Sequence, residues 1–231
     1  MKVRNYIIYM AMLAACCLGV YMTGQIMETA SPANAFAGNK PAIIIDAGHG
    51  GEDGGSTGGD GTLEKELNLQ VAKKLRDFAI VMGYDVIMVR EEDISIHDEE
   101  AKNTRQRKRT DLINRVAVCE QNPSAKYIGI HMNKFTQIKY SGAQVFYSVK
   151  NPQSQALAQS IQTSIRNLIQ KDNDRVIKRA TEDIYILYNT ENMAVTVECG
   201  FLSNPDELKR LKTEQYQSEL AFAIMSGICA K

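Results

Sequence analysis

Four residues carry the chemistry available to this sequence. Two of its three histidines close strand-like apolar runs: His49 follows "IIID" within "IIIDAGHG", and His131 follows "IGI". A lone histidine at a strand end usually just satisfies a hydrogen bond. Two at corresponding places carry more weight, because parallel neighbours bring their carboxyl ends to one edge, where open α/β sheets place their chemistry. Glu64 falls in the first turn of the helix after a glycine-rich loop and so starts at that same edge. A carboxylate there is favoured by the helix dipole in any case, and Glu66 competes for the place. Together His49, Glu64 and His131 make a three-ligand set suited to zinc (Zn2+), with a fourth position left for water. Glu198 ends the apolar run "AVTVE". A charge closing such a run is costly unless it is paired or used. Facing the same edge, it can take a proton from water and return it to a leaving amine. The third histidine, His97, lies in the acidic connection "SIHDEE" and is expected at the surface.

The elements that must position these residues alternate along the chain. Ala42 to Asp46, Tyr84 to Val89, residues 126–131 and residues 142–149 pattern as strands, as do "DIYIL" and "AVTVE". Helical spacing marks Leu63 to Val81, with Leu67, Val71, Leu75, Phe78 and Ala79 on one side and Gly83 as a stop. Further helices are expected over Thr104 to Glu120, residues 151–169 (with Pro152 at the start) and most of Pro205 to Ile228. The fold class that follows is α/β: a mainly parallel twisted sheet of about six strands with helices on both faces.

Composition sets the limits. The 231 residues suffice for one sizeable domain, and 44% apolar with 23% charged residues is ordinary for a globular protein. Net charge is zero, which gives no reason to expect a nucleic-acid partner, and the short basic run "RQRKR" at Arg105 to Arg109 suits a solvated helix face. Five cysteines contain no CxxC pair, so neither a thiolate zinc site nor a redox motif is indicated. Cys16 and Cys17 lie in an apolar leader, leaving Cys119, Cys199 and Cys229 with at least one free thiol.

That leader has Lys2 and Arg4 ahead of a nearly continuous apolar stretch from Tyr6 to Met22. The pattern is that of a secretion signal, or of an uncleaved anchor at the short limit for a membrane span. Residues 1–39 are thus expected to be signal peptide or anchor plus linker, and residues 40–231 the folded domain, outside the cytoplasmic membrane. Membrane contact is expected only through the N-terminal segment.

The motifs "IIIDAGHGGEDGG", "EKELNLQVAKKL", "MVREED", "RTDLINRV", "IGIHMN" and "VECGFLSNPDE", in this order, resemble the signatures of the zinc-dependent N-acetylmuramoyl-L-alanine amidases. The resemblance runs from about Ala42 to Lys231. It implies that His49, Glu64 and His131 bind zinc, with Glu64 favoured over Glu66 by its place in the "EK" pair, and that Glu198 is the general base. The substrate implied is peptidoglycan, cut between N-acetylmuramic acid and L-alanine. A protein activator, on which some members depend, is compatible with it. Met193 and Val176 stand where the family usually has proline and glycine. The short, signal-led layout is most similar to the sporulation members of spore-forming bacteria. For that subgroup the implied role is stem-peptide removal for muramic-δ-lactam in spore cortex, and the implied place is the forespore intermembrane space. A zinc peptidase acting within the stem peptide, or a non-catalytic wall-binding protein, are the competing expectations. Arg90 and Asn114 are candidates to support the edge from behind.

Overall fold

The computed structural model describes residues 40–230; the leader and linker expected over 1–39 lie outside the described residues. Six strands form one sheet: β1 (Ala42–Ala47), β2 (Asp85–Met88), β3 (Lys126–Asn133), β4 (Gln144–Tyr147), β5 (Lys178–Arg179) and β6 (Ala194–Phe201), in spatial order β2-β1-β3-β6-β4-β5. The pairs β1–β2, β1–β3, β3–β6 and β4–β5 are parallel, and β4–β6 is antiparallel. Six helices surround it: α1 (Glu64–Val81), α2 (Thr104–Gln121), α3 (Gln153–Leu168), α4 (Tyr185–Asn189), α5 (Pro205–Leu211) and α6 (Glu214–Cys229).

The central strands are apolar on both faces, as a sheet sandwiched between helices requires. Ile43, Ile45, Ile128, Ile130, Val195 and Val197 are buried with Leu67, Val71 and Leu75 of α1, Ile161 of α3 and Ile224 of α6 in the larger core. The alternate positions Ile44, Tyr127 and Ala194 pack with Val116 and Cys119 of α2 and with Leu187 of α4. Helices therefore lie on both faces, as expected. No helix among the described residues is long and apolar enough to cross a membrane. Cys119 and Cys199 are buried free thiols and Cys229 is an exposed one.

One sequence expectation is corrected. "DIYIL" is not a strand: it enters the short helix α4, and the strand beside β4 is Lys178–Arg179 instead. The burial order shows why, since Ile186 and Leu187 are buried in succession while Tyr185 and Tyr188 stand out, which alternation cannot produce. The stretch from Pro205 to Ile228 is mostly helix, as expected, in two pieces that meet where Thr213 caps α6 by accepting from the Tyr216 amide at 3.3 Å.

Candidate metal centre

The strand β1 ends at Ala47, and the next three residues turn over the carboxyl edge of the sheet. His49 sits there in the left-handed region at φ 63°. A histidine tolerates this conformation better than a branched residue would, yet it needs holding. Arg115, buried in α2, holds it: the guanidinium donates to the His49 carbonyl at 2.9 Å, to Asp111 at 2.6 Å, and pairs closely with Asp46. Tyr127 completes the network by donating to Asp46 at 2.7 Å. Arg90 ties the same turn to the start of α1, donating to the carbonyls of Ala47 (2.8 Å), Gly48 (3.1 Å) and Lys65 (2.8 Å). Asn114, by contrast, holds the 96–98 connection through Ile96 and Asp98 and does not reach the edge.

Glu64 is the first residue of α1 and is only 3% exposed. Its Oε1 lies 3.2 Å from His49 Nε2 and 3.0 Å from His131 Nδ1, and accepts from the Met132 amide at 3.2 Å. Its Oε2 accepts from the Ser56 amide at 2.8 Å. Glu66 points to solvent. One ligand atom from each of His49, Glu64 and His131 falls within 4.8 Å of the others, and the two rings meet edge-on with centroids 5.0 Å apart. This close approach depends on glycine. A Cβ on Gly48 would stand 2.1 Å from His131 Nε2, and one on Gly55 (φ 68°) would be 2.7 Å from both Glu64 Oε2 and the His49 ring.

Asp53, which the sequence reading passed over, accepts from His49 Nδ1 at 2.9 Å. That bond turns Nε2 towards Glu64, the usual way a ligating imidazole is oriented by a carboxylate behind it. The signal was present in the four-residue spacing of His49 and Asp53 within "HGGED". Burial works to lower the His49 pKa, but the hydrogen bonds to Asp53 and Glu64 outweigh it and push the imidazole up to about 9. Burial likewise opposes ionisation of Glu64, and the two histidines more than offset it, holding the carboxyl well below its usual range.

Glu198 joins the cluster through strand register. It is opposite His131 on β3 and opposite Gln144 on β4, so all three side chains share one face. Its Oε2 is buried with no hydrogen-bond partner. Burial raises its pKa above the ordinary carboxylate value, with Glu64 adding to the rise, and His131, His49 and Arg175 pulling the other way. A carboxylate left unsatisfied in this way costs stability, which is the mark of a group kept for another purpose. His97 lies apart, half-buried and bonded to Ser95 at 2.9 Å.

The donor set fits a metal. Two imidazole nitrogens and one carboxylate oxygen suit zinc without any thiolate. Separations of 3.0 and 3.2 Å compare with roughly 3.3 Å for the edge of a tetrahedron with zinc-length bonds.

An open α/β sheet that gathers two imidazoles and two carboxylates at its carboxyl edge is built as a hydrolytic enzyme. The chain belongs to the N-acetylmuramoyl-L-alanine amidase family, which residues 43–230 match. It is 39% identical over 186 residues to the germination-specific N-acetylmuramoyl-L-alanine amidase of Bacillus subtilis, covering 80% of this chain and 77% of that one. Among solved structures, the CwlD amidase of Clostridioides difficile, determined in complex with the GerS lipoprotein, superposes with a TM-score of 0.79 at 41% identity, covering 82% of this chain and 96% of that chain. A second N-acetylmuramoyl-L-alanine amidase, from Clostridium difficile 630, superposes with a TM-score of 0.72 at 29% identity, covering 82% of this chain and 95% of that chain. The protein is accordingly a peptidoglycan amidase, cutting between N-acetylmuramic acid and L-alanine.

Proposed function

We propose that this amidase is zinc-dependent and that it strips stem peptides from muramic acid so that muramic-δ-lactam can form in spore cortex. The observation that carries the zinc assignment is the convergence of His49 Nε2, Glu64 Oε1 and His131 Nδ1 beside the unpartnered Oε2 of Glu198. The cortex role rests on the identity to the germination-specific and CwlD amidases.

His49, Glu64 and His131 would hold the ion, and Asp53 and the Met132 and Ser56 amides keep their donor atoms aimed. A zinc ion in that place would supply Lewis acidity for the scissile carbonyl and the attacking water. Glu198 is the general base: its free Oε2 removes the proton of the attacking water and hands it to the alanine nitrogen as the amide breaks. Its raised pKa makes it the stronger base towards that water, and the protonated carboxyl is still acidic enough to protonate the departing amine.

The experiment is digestion of purified peptidoglycan by the wild type and by Glu198→Gln. The wild type should expose new L-alanine amino termini and leave peptide-free muramic acid, and the variant should not. New amino groups on other stem residues would instead mark a peptidase. Deleting the gene in its host should remove muramic-δ-lactam from the cortex; unchanged lactam would refute the cortex role. The leader fits export, with the domain secreted or anchored outside the cytoplasmic membrane, and fractionation of sporulating cells tests this. A protein activator is proposed by analogy with the complex formed by the CwlD amidase.

A further inference from the structure

Next to Glu198, on the same face of the sheet, a cavity of about 270 Å3 is lined by Asn133, Phe135, Tyr140, Gln144, Phe146, Arg175, Lys178 and Phe201. Its charge comes from Arg175 and Lys178. Lys178 stands in register with Phe146 and is exposed. Arg175 is the more constrained of the two. It donates to the Gln144 side-chain carbonyl, and its guanidinium lies 4.8 Å over the Phe201 ring. Phe201 in turn stacks on Tyr140, with centroids 6.3 Å apart. Stacking and one neutral acceptor fix the plane of the guanidinium without neutralising it, and its Nε is buried with no partner. Burial depresses its pKa, with the more distant Glu207, Glu198 and Asp174 carboxylates opposing. An oriented cation with an unused donor, set between aromatic walls, is a receptor for a planar anion.

The chemistry of the substrate says which anion. The glycan at the cut is neutral, since the lactyl carboxyl is consumed in the scissile amide. The stem peptide carries free carboxylates, and the first is the α-carboxylate of the second residue, a glutamate joined through its γ-carboxyl. It lies one to two residue lengths, roughly 4–7 Å, from the scissile nitrogen. Gln144, which accepts from Arg175, is paired with Glu198 one strand spacing away, so the guanidinium borders the base on the same face of the sheet, on the side where the stem peptide must leave the cut. We propose that Arg175, supported by Lys178, forms a subsite for the free carboxylate of the stem peptide's second residue, so that the enzyme distinguishes isoglutamate from isoglutamine stems. This rests on the amidase reading with Glu198 at the cut.

The test uses the zinc-loaded enzyme and three sets of glycan strands bearing tripeptide stems: unmodified, amidated at the second residue, and amidated only at the third. The readout is the ratio of kcat/KM between sets. The wild type should prefer the unmodified stem over the second-residue amide by about tenfold or more, mainly through KM, the scale of one charge-assisted hydrogen-bonded pair. Third-residue amidation should leave the ratio near one. Arg175→Gln should bring the second-residue ratio towards one, and Arg175→Lys should keep part of it, because lysine retains the charge and loses the fork. A wild type indifferent to second-residue amidation overturns the proposal, as does a folded Arg175→Gln that keeps the full preference. Discrimination at the third residue instead overturns the assignment to the second. Should Arg175→Gln not fold, an undiminished ratio in Arg175→Lys overturns it equally. Failure of the amidase reading looks different: no set would then yield free L-alanine amino termini.

Discussion

His49 lies between two carboxylates, Asp53 and Glu64. In the metal-free protein its pKa is raised to about 9, from an ordinary value of 6.5. A raised pKa means the folded chain binds a proton the unfolded chain has released. The stabilisation is therefore complete below pH 6.5 and lost as pH rises through 9, on the order of 1–3 kcal/mol. Denaturation midpoints measured with chelator at pH 6, 7.5 and 9 should fall along the series. Zinc bound as proposed would have to displace that proton, so calorimetry near pH 7.5 in buffers of different ionisation enthalpy should detect close to one proton released per ion. Asp53→Asn removes the charge behind His49 and should weaken zinc binding by about 10- to 100-fold, read by competition with a chromogenic chelator. Glu198→Gln is the opposite case: zinc retained and turnover down by about a hundredfold or more. His49, Glu64, His131 and Glu198 stood out in the sequence because each follows an apolar run or opens a helix. Asp53 and Arg115 did not, since their roles depend on where a loop and a distant helix come to rest.

Among the elements, β1, its glycine turn and α1 form one unit, and the metal centre is as good as that unit's geometry. Gly48 carries no side chain because the His131 ring takes its place. Gly48→Ala should displace that ring and abolish stoichiometric zinc binding while the circular dichroism of the sheet persists. Arg115 fastens the unit from below. Arg115→Met leaves Asp46 and Asp111 buried without their cation, and should cost about 3–5 kcal/mol in urea unfolding. The central strands and α1 follow directly from apolar runs and helical spacing. Residues 183–187 do not. Their alternating sequence suits a strand, but the next place in the sheet goes to Lys178–Arg179, and the apolar pair Ile186–Leu187 is buried as part of a helix. The antiparallel sense of β4 was equally hidden, because four residues carry no mark of their direction.

At the scale of the whole molecule, the sheet is asymmetric. Parallel strands β1, β3 and β6 collect the catalytic edge, and the run ends in β4 and a fifth strand of only two residues. The architecture was foreseeable from the β-α alternation, whereas the ending was not. Both residues of β5, Lys178 and Arg179, are exposed and basic. A border strand offers unpaired amides and carbonyls to any other extended chain, and short, charged borders are how sheets refuse such offers. A protein whose substrate carries extended peptides is especially open to unwanted strand addition. Replacing Lys178 and Arg179 with threonine and valine should therefore leave the monomer folded at low concentration and promote self-association as concentration rises, visible by light scattering. The terminal pair of basic residues acts as a seam that keeps one sheet from becoming two.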